Sequence, residues 1–105
     1  MTVGITQGNV KGFGVATITF NPAAVSAATS AEQTVTVPGL LVGDMVWVNK
    51  PSATTGVGIV GCRVSAADTL AITFMNATAG SVDPASESYS VLWIRPDASA
   101  SGVVI

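Results

Sequence analysis

Apolar and polar residues alternate along several short stretches of the chain, and this two-residue period predicts β-strands with one buried face. In the first stretch Ile18 and Phe20 fall on one side, while Thr17 and Thr19 fall on the other. Turn-forming residues, such as Pro38 followed by glycine, separate the stretches. The pattern predicts six strands, at residues 13–20, 33–37, 44–49, 57–64, 69–75 and 89–95.

The inward faces of these strands predict one core of branched and aromatic side chains: Ile18, Phe20, Val35, Val37, Val46, Val48, Leu70, Ile72, Phe74, Leu92 and Ile94. No stretch has a helical period. Residues 23–31, which follow Asn21-Pro22, fit either one turn of helix or an ordered loop. We therefore expect an all-β, single-domain β-sandwich of about six to eight short strands, similar to a jelly roll.

The two chain ends carry apolar residues outside the main strand pattern. We expect one domain over residues 1–105, with an N-terminal arm at 1–12, a core at 13–96 and a C-terminal tail at 97–105. Chain ends fray unless something holds them, and an extended end can add a strand to a neighbour's sheet. The candidate interface residues at the ends are therefore Val3, Ile5, Val10, Val103, Val104 and Ile105.

Charged residues make up only 10% of the chain, against about 25% in an average soluble domain. A surface of alanine, glycine, serine and threonine loses its hydration readily, which predicts burial in an assembly. The partners we expect are further copies of the chain, as a dimer or trimer. The four basic residues are scattered, which argues against nucleic-acid binding. No run of about 18 apolar residues exists, so we expect no membrane-spanning helix.

The residue types needed for catalysis are sparse. The chain has no histidine, so the commonest general base and transition-metal ligand are missing. Cys62 is the only cysteine, and its apolar neighbours predict an inert buried thiol. The six acids lie in predicted turns or at strand ends, and the surroundings of Asp83 lack the ligand spacing of a calcium loop. We expect no enzymatic activity, no cofactor and no metal.

Two short motifs have alternative interpretations. Asn76-Ala77-Thr78 matches a glycosylation acceptor, but these residue types also hydrogen-bond within turns, and we expect that second role. Trp47, Tyr89 and Trp93 would form a sugar-binding platform if they shared an exposed face. Packing in the core or at a subunit interface is the role that we expect, which makes Trp47 and Trp93 further interface candidates.

The second half of the chain resembles a known group of viral proteins. Gly43-Asp44 precedes a strand, the strand at 69–75 runs into Asn76-Ala77-Thr78-Ala79-Gly80, and Asp83-Pro84 precedes the last strand. Over residues 32–96 this order resembles small β-rich structural proteins of tailed phages, including capsid decoration proteins with a jelly-roll-like fold. The resemblance implies no catalytic residues.

These observations predict a structural virion protein that binds and stabilises the assembled phage capsid. It would lie on the capsid exterior, with the major capsid protein lattice as its partner. The first residues lack the basic and apolar regions of a signal peptide, so synthesis in the host cytoplasm is expected. The alternative is a carbohydrate-binding module of a phage fibre, spike or adhesin. A hydrolase domain is a third possibility, which the lack of histidine disfavours.

Overall fold

Two three-stranded antiparallel sheets pack face to face and form a β-sandwich. The computed structural model describes residues 6–97 and 103–104. The strands are β1 (Thr6–Gln7), β2 (Val10–Phe20), β3 (Thr29–Thr36), β4 (Met45–Asn49), β5 (Val57–Ala66), β6 (Thr69–Asn76), β7 (Glu87–Pro96) and β8 (Val103–Val104). The described residues contain no helix, and hence none long and apolar enough to cross a membrane. The all-β prediction is confirmed.

The strands are nested in the manner of a jelly roll. One sheet has the order β2-β7-β4 and the other has the order β3-β6-β5. The chain therefore changes sheet after each of β2, β3 and β4, makes the β5–β6 hairpin, and returns to the first sheet with β7. In sequence order, the paired strands β2 and β7 thus enclose the paired strands β3 and β6. In space, β4 meets β5 along one side of the sandwich. Strands β7 and β6 are the central strands of their respective sheets.

Most of the predicted inward positions lie in the core. Phe20, Val37, Val48, Leu70, Ile72 and Phe74 are buried, while Ile18, Val35 and Val46 pack partly buried against them. Tyr89 and Val91 complete the core from β7, and the ring of Phe20 lies 5.6 Å from that of Tyr89.

The prediction was wrong about which face of β7 is buried. Leu92 is 40% exposed, and Ile94 shares its outward face. The buried side chains of β7 are those of Tyr89 and Val91. The run of four apolar residues at 91–94 has no alternation, so its pattern fits either orientation of the strand.

Residues 21–28 form a loop, so the loop alternative is correct for 23–28, whereas residues 29–31 belong to β3 and neither alternative is correct for them. The side chain of Gln33 binds this loop as a backbone would, because its oxygen accepts from Ala23 N (2.7 Å) and its nitrogen donates to Ala23 O (3.0 Å). Val25 also forms an isolated bridge to Val82. The loop is therefore held from β3 and from the β6–β7 connection.

Asn76 organises the turn that follows β6, as the sequence predicted. Its buried amide nitrogen donates to the carbonyls of Val25 (2.9 Å) and Gly80 (2.8 Å). Its oxygen accepts from the backbone nitrogen (2.8 Å) and the hydroxyl (2.7 Å) of Thr78. Both ends of the amide are thus committed to local hydrogen bonds.

Candidate functional site

An apolar surface covers part of the outward side of the β2-β7-β4 sheet. The strand register places its side chains in two rows across the sheet. We call it the apolar face, and it consists of Phe13, Ile94 and Met45 in one row and Val15, Leu92 and Trp47 in the next. The exposed fraction reaches 74% at Phe13 and 71% at Trp47. The apolar face is therefore accessible to a partner.

Polar residues border the apolar face on the same sheet. The next row along the strands contains Thr17, Ser90 and Asn49, and the row after it contains Thr19 and Ser88. Among the charged residues, Lys11 is the nearest to the face along β2, at a break in the strand register between Val10 and Gly12. An apolar centre with a polar margin is the usual anatomy of a protein interface.

The outward side of the other sheet has a different character. The exposed positions that alternate along β3 are polar, namely Ser30, Glu32, Thr34 and Thr36. Arg63 of β5 reaches across β6 to Glu32. The guanidinium donates to both carboxylate oxygens, at 2.9 and 2.8 Å, and this pair holds the pKa of Glu32 below its usual range. The outward side of this sheet is therefore mainly polar, with Val60 of β5 as an exposed apolar residue, whereas the β2-β7-β4 sheet carries the apolar face.

A second exposed apolar element is the turn between β3 and β4, which we call the apolar turn (residues 41–44). Leu41 and Val42 form its tip, and Val42 is 69% exposed. Gly43 has a φ of 101°, a left-handed value that suits the third position of such a turn. Asp44 closes the turn, since its nitrogen donates to Leu41 O (3.0 Å) and its carboxylate accepts from Leu41 N (2.9 Å).

Arg95 of β7 holds the apolar turn in place. Its guanidinium donates to both oxygens of Asp44 and to the carbonyl of Gly39, each at 2.8 Å. Hydrogen bonding from Arg95 holds the pKa of Asp44 below its usual range, although burial of the carboxylate opposes this. A cleft of about 350 Å³ separates the apolar turn from the ends of β2 and β7. Hydrogen bonds within the turn and from Arg95 thus hold the turn in one conformation.

The two tryptophans named as interface candidates lie on opposite sides of their sheet. Trp47 belongs to the apolar face, whereas Trp93 points inward and is half-buried. The Trp93 ring packs under Gly12 and Gly14, where an added Cβ would come within 3.4 and 3.1 Å of it, and Arg95 lies over the ring at 5.4 Å. Tyr89 is also buried, so the three aromatic residues do not share an exposed face.

The candidate residues at the chain ends have different environments. Val10 is exposed and pairs with Pro96, so β2 starts within the predicted N-terminal arm. Val103 and Val104 form β8, which pairs with Gln7 and Thr6 of the same chain rather than with a neighbour. Val3, Ile5 and Ile105 lie outside the described residues.

Several polar groups form ion pairs or are enclosed within the chain. The Nζ atom of Lys50 lies 2.7 Å from Oε1 of Glu87. The other carboxylate oxygen of Glu87 accepts a hydrogen bond from the Ser52 hydroxyl at 2.6 Å. The half-buried thiol of Cys62 donates to Val46 O at 3.3 Å, and burial raises its pKa. Within residues 6–97 and 103–104, no three histidine, cysteine or acidic side chains are grouped as a metal site would require.

Sequence reasoning identified only one of the six residues of the apolar face, Trp47, as an interface candidate. A signal for the others was present on β7. Ser88 and Ser90 lie on the same side of the strand as Leu92 and Ile94, since side chains two apart share a face, and two serines in succession on one side indicate that this side faces outward. Met45 pairs with Ile94 and Trp47 pairs with Leu92, so these two residues of β4 lie on the same outward side.

The chain was compared with protein-family models, curated proteins and solved structures, and none of them matched.

Proposed function

We propose that this chain is a structural protein that binds the exterior of an assembled tailed-phage capsid and stabilises it. The observation that carries the proposal is the amount of apolar surface that the folded chain leaves uncovered, on the apolar face and at the apolar turn. The resemblance over residues 32–96 supplies the identity of the assembly, and the nested strand order agrees with the fold that this resemblance implies.

The size of the apolar face supports a role in assembly. Aromatic side chains bury about 150–250 Å² each, so Phe13 and Trp47 together expose roughly 300 Å². With the other four residues the face approaches roughly 600 Å², the upper end of what the largest patch on a typical monomer reaches. A surface of this size costs free energy while it faces water, and a partner that covers it recovers that cost.

The apolar turn is the contact with the shell in this proposal. Leu41 and Val42 protrude from a turn that Asp44 and Arg95 already hold, so binding them would order little additional chain. A protein that binds only the assembled shell stabilises that shell by mass action. Many copies on one lattice would add their effects.

The test mixes the purified protein with expanded capsids of the encoding phage that lack it, and measures co-sedimentation and the temperature at which the capsids rupture. The protein should co-sediment at saturation and raise the rupture temperature. Val42→Ser should weaken binding at least about tenfold, since it removes an apolar contact from a pre-ordered turn. Val60→Ser is the matched control, because Val60 is 65% exposed on β5 and lies outside the turn.

Absence of co-sedimentation would refute the capsid role. Equal loss of binding in both valine variants would show that the apolar turn is not the contact.

Carbohydrate binding is a second candidate, which the exposure of Trp47 favours. Its indole lies on the same side of β4 as Asn49, so an apolar ring and a side-chain amide are presented together. Sugars bind proteins by stacking on aromatic rings and by hydrogen bonds to such amides. Saturable quenching of tryptophan fluorescence by a glycan, lost in Trp47→Ala and kept in Asn21→Ala, would support this function. If no glycan changes the tryptophan fluorescence, the carbohydrate-binding function is refuted.

A further inference from the structure

We propose that the apolar face binds the same face of a second copy of this chain, which makes the protein a face-to-face dimer with two-fold symmetry. This inference goes beyond the capsid role and does not depend on it, because the dimer would form in the purified protein. It also gives the face an occupant different from that of the apolar turn.

The charge distribution suits self-pairing. In a two-fold interface the same patch lies on both sides, so a charge within the patch meets its own copy or a close neighbour of it. The chain has four basic and six acidic residues, and none of them lies in either row of the apolar face. Pairing two such faces therefore buries no charge and creates no like-charge repulsion.

The arrangement of large and small side chains is self-complementary. Phe13 and Trp47 stand at diagonally opposite corners of the array of two rows and three strands. A two-fold axis in the plane of the interface, parallel to the strands, places Phe13 opposite Met45 and Trp47 opposite Val15 of the second copy. An axis across the strands places Phe13 opposite Val15 and Trp47 opposite Met45. In both orientations each aromatic ring meets a smaller side chain, as close packing requires.

The area and the geometry of the apolar face are also sufficient for a dimer interface. Each partner contributes about 800 Å² to an interface of standard size. The apolar face supplies most of this, and the polar row of Thr17, Ser90 and Asn49 extends it as a rim. Two three-stranded sheets are equally wide, and aligned sheets pack about 10 Å apart. The dimer would then be a four-layered stack with the polar sheets outermost.

Sedimentation equilibrium over a dilution series tests the dimer. We expect a mass twice the chain's 10.5 kDa, with a blue shift of tryptophan fluorescence on association as Trp47 loses water. Val15→Glu places two carboxylates in the interface and should raise the dimer dissociation constant at least about tenfold. Thr34→Glu is the control, since Thr34 is exposed on edge strand β3 of the other sheet, and it should leave the mass unchanged.

Phe13→Ser is the second test variant and should also weaken the dimer, in case Val15→Glu folds poorly; circular dichroism establishes that each variant is folded. A monomer at every concentration, a trimer, or a dimer that tolerates both substitutions would overturn the inference. A dimer that does not bind capsids would refute the capsid role alone. Capsid binding by a protein that stays monomeric would refute the dimer alone.

Discussion

The carboxylate of Asp44 and the guanidinium of Arg95 form a two-point ion pair across 51 positions of sequence, with both N–O distances 2.8 Å. The side chain of Asp44 is only 2% exposed, whereas that of Arg95 is 26% exposed. The pair joins the apolar turn to the end of the central strand β7. It therefore links the shape of a candidate contact surface to the stability of the sheet beside it.

Asp44→Asn should lower the free energy of unfolding by about 2 kcal/mol at neutral pH, because it removes charge-assisted hydrogen bonds from a buried position. The folded-state pKa of Asp44 is lowered, so the pair stabilises the protein above the unfolded-state pKa of about 3.9, and that stability is lost as the pH falls further. Urea unfolding of both proteins at neutral pH and at pH about 2–3 would measure this. If the difference in unfolding free energy between the two proteins does not become smaller in acid, the prediction is contradicted.

Phe74→Ala should cost about 3–5 kcal/mol, because Phe74 is fully buried in the core. The same substitution at Phe13 changes an exposed residue of the apolar face and should cost less than about 1 kcal/mol at concentrations where the protein is monomeric. Denaturant unfolding of the two variants gives the comparison. Equal losses would mean that the outward side of β2 is buried.

Gly14→Ala should destabilise the protein by about 1–3 kcal/mol, because the new methyl group would lie 3.1 Å from the Trp93 ring and force it to move. Gly58→Ala is the matched control. Its Cβ would meet nothing within 4 Å, so alanine should be neutral or stabilise by about 0.4–1 kcal/mol. Thermal unfolding with near-ultraviolet circular dichroism, which reports on Trp93, distinguishes the two. A neutral Gly14→Ala would contradict the packing of Trp93 beneath β2.

Tyr89→Phe should leave stability unchanged or raise it by up to about 1 kcal/mol, since the buried hydroxyl has no hydrogen-bond partner among the described residues. Burial, and then the charge of Glu87, raise the pKa of Tyr89 to about 12. A raised pKa means that the fold disfavours the ionised phenol relative to the neutral one, so stability is unaffected below the unfolded-state value of about 10 and falls as the pH rises from there towards 12. Titration of tyrosinate absorbance and alkaline unfolding would test the raised pKa of Tyr89. Ionisation of this residue near pH 10 in the folded protein would contradict it.

The alternation of threonine with larger apolar residues was sufficient to predict strands β2, β3 and β6 and their buried sides, because one polar and one apolar face allow one orientation. Strand β4 has apolar residues on both sides, and the prediction that Val46 and Val48 face inward was also correct. The apolar run of β7 did not specify its orientation, and the apolar face was missed for that reason. The partners Asp44 and Arg95 also could not be matched from the sequence, because only the folding of β7 between β2 and β4 brings them together. Short-range patterns thus predicted the strands, while the candidate surfaces depend on long-range pairing.

The nested strand order has a consequence for the order of folding. Among the strands that the structure describes, β2 and β4 pair within their sheet only with β7, which follows them by dozens of residues. During synthesis both must remain without sheet partners until β7 has emerged, whereas β5 and β6 are joined by a two-residue connection and can pair at once. The β3-β6-β5 sheet is therefore expected to form first and the β2-β7-β4 sheet last. A ribosome-bound chain that ends before Glu87 would hold half a sandwich, with its inner surface open to chaperones.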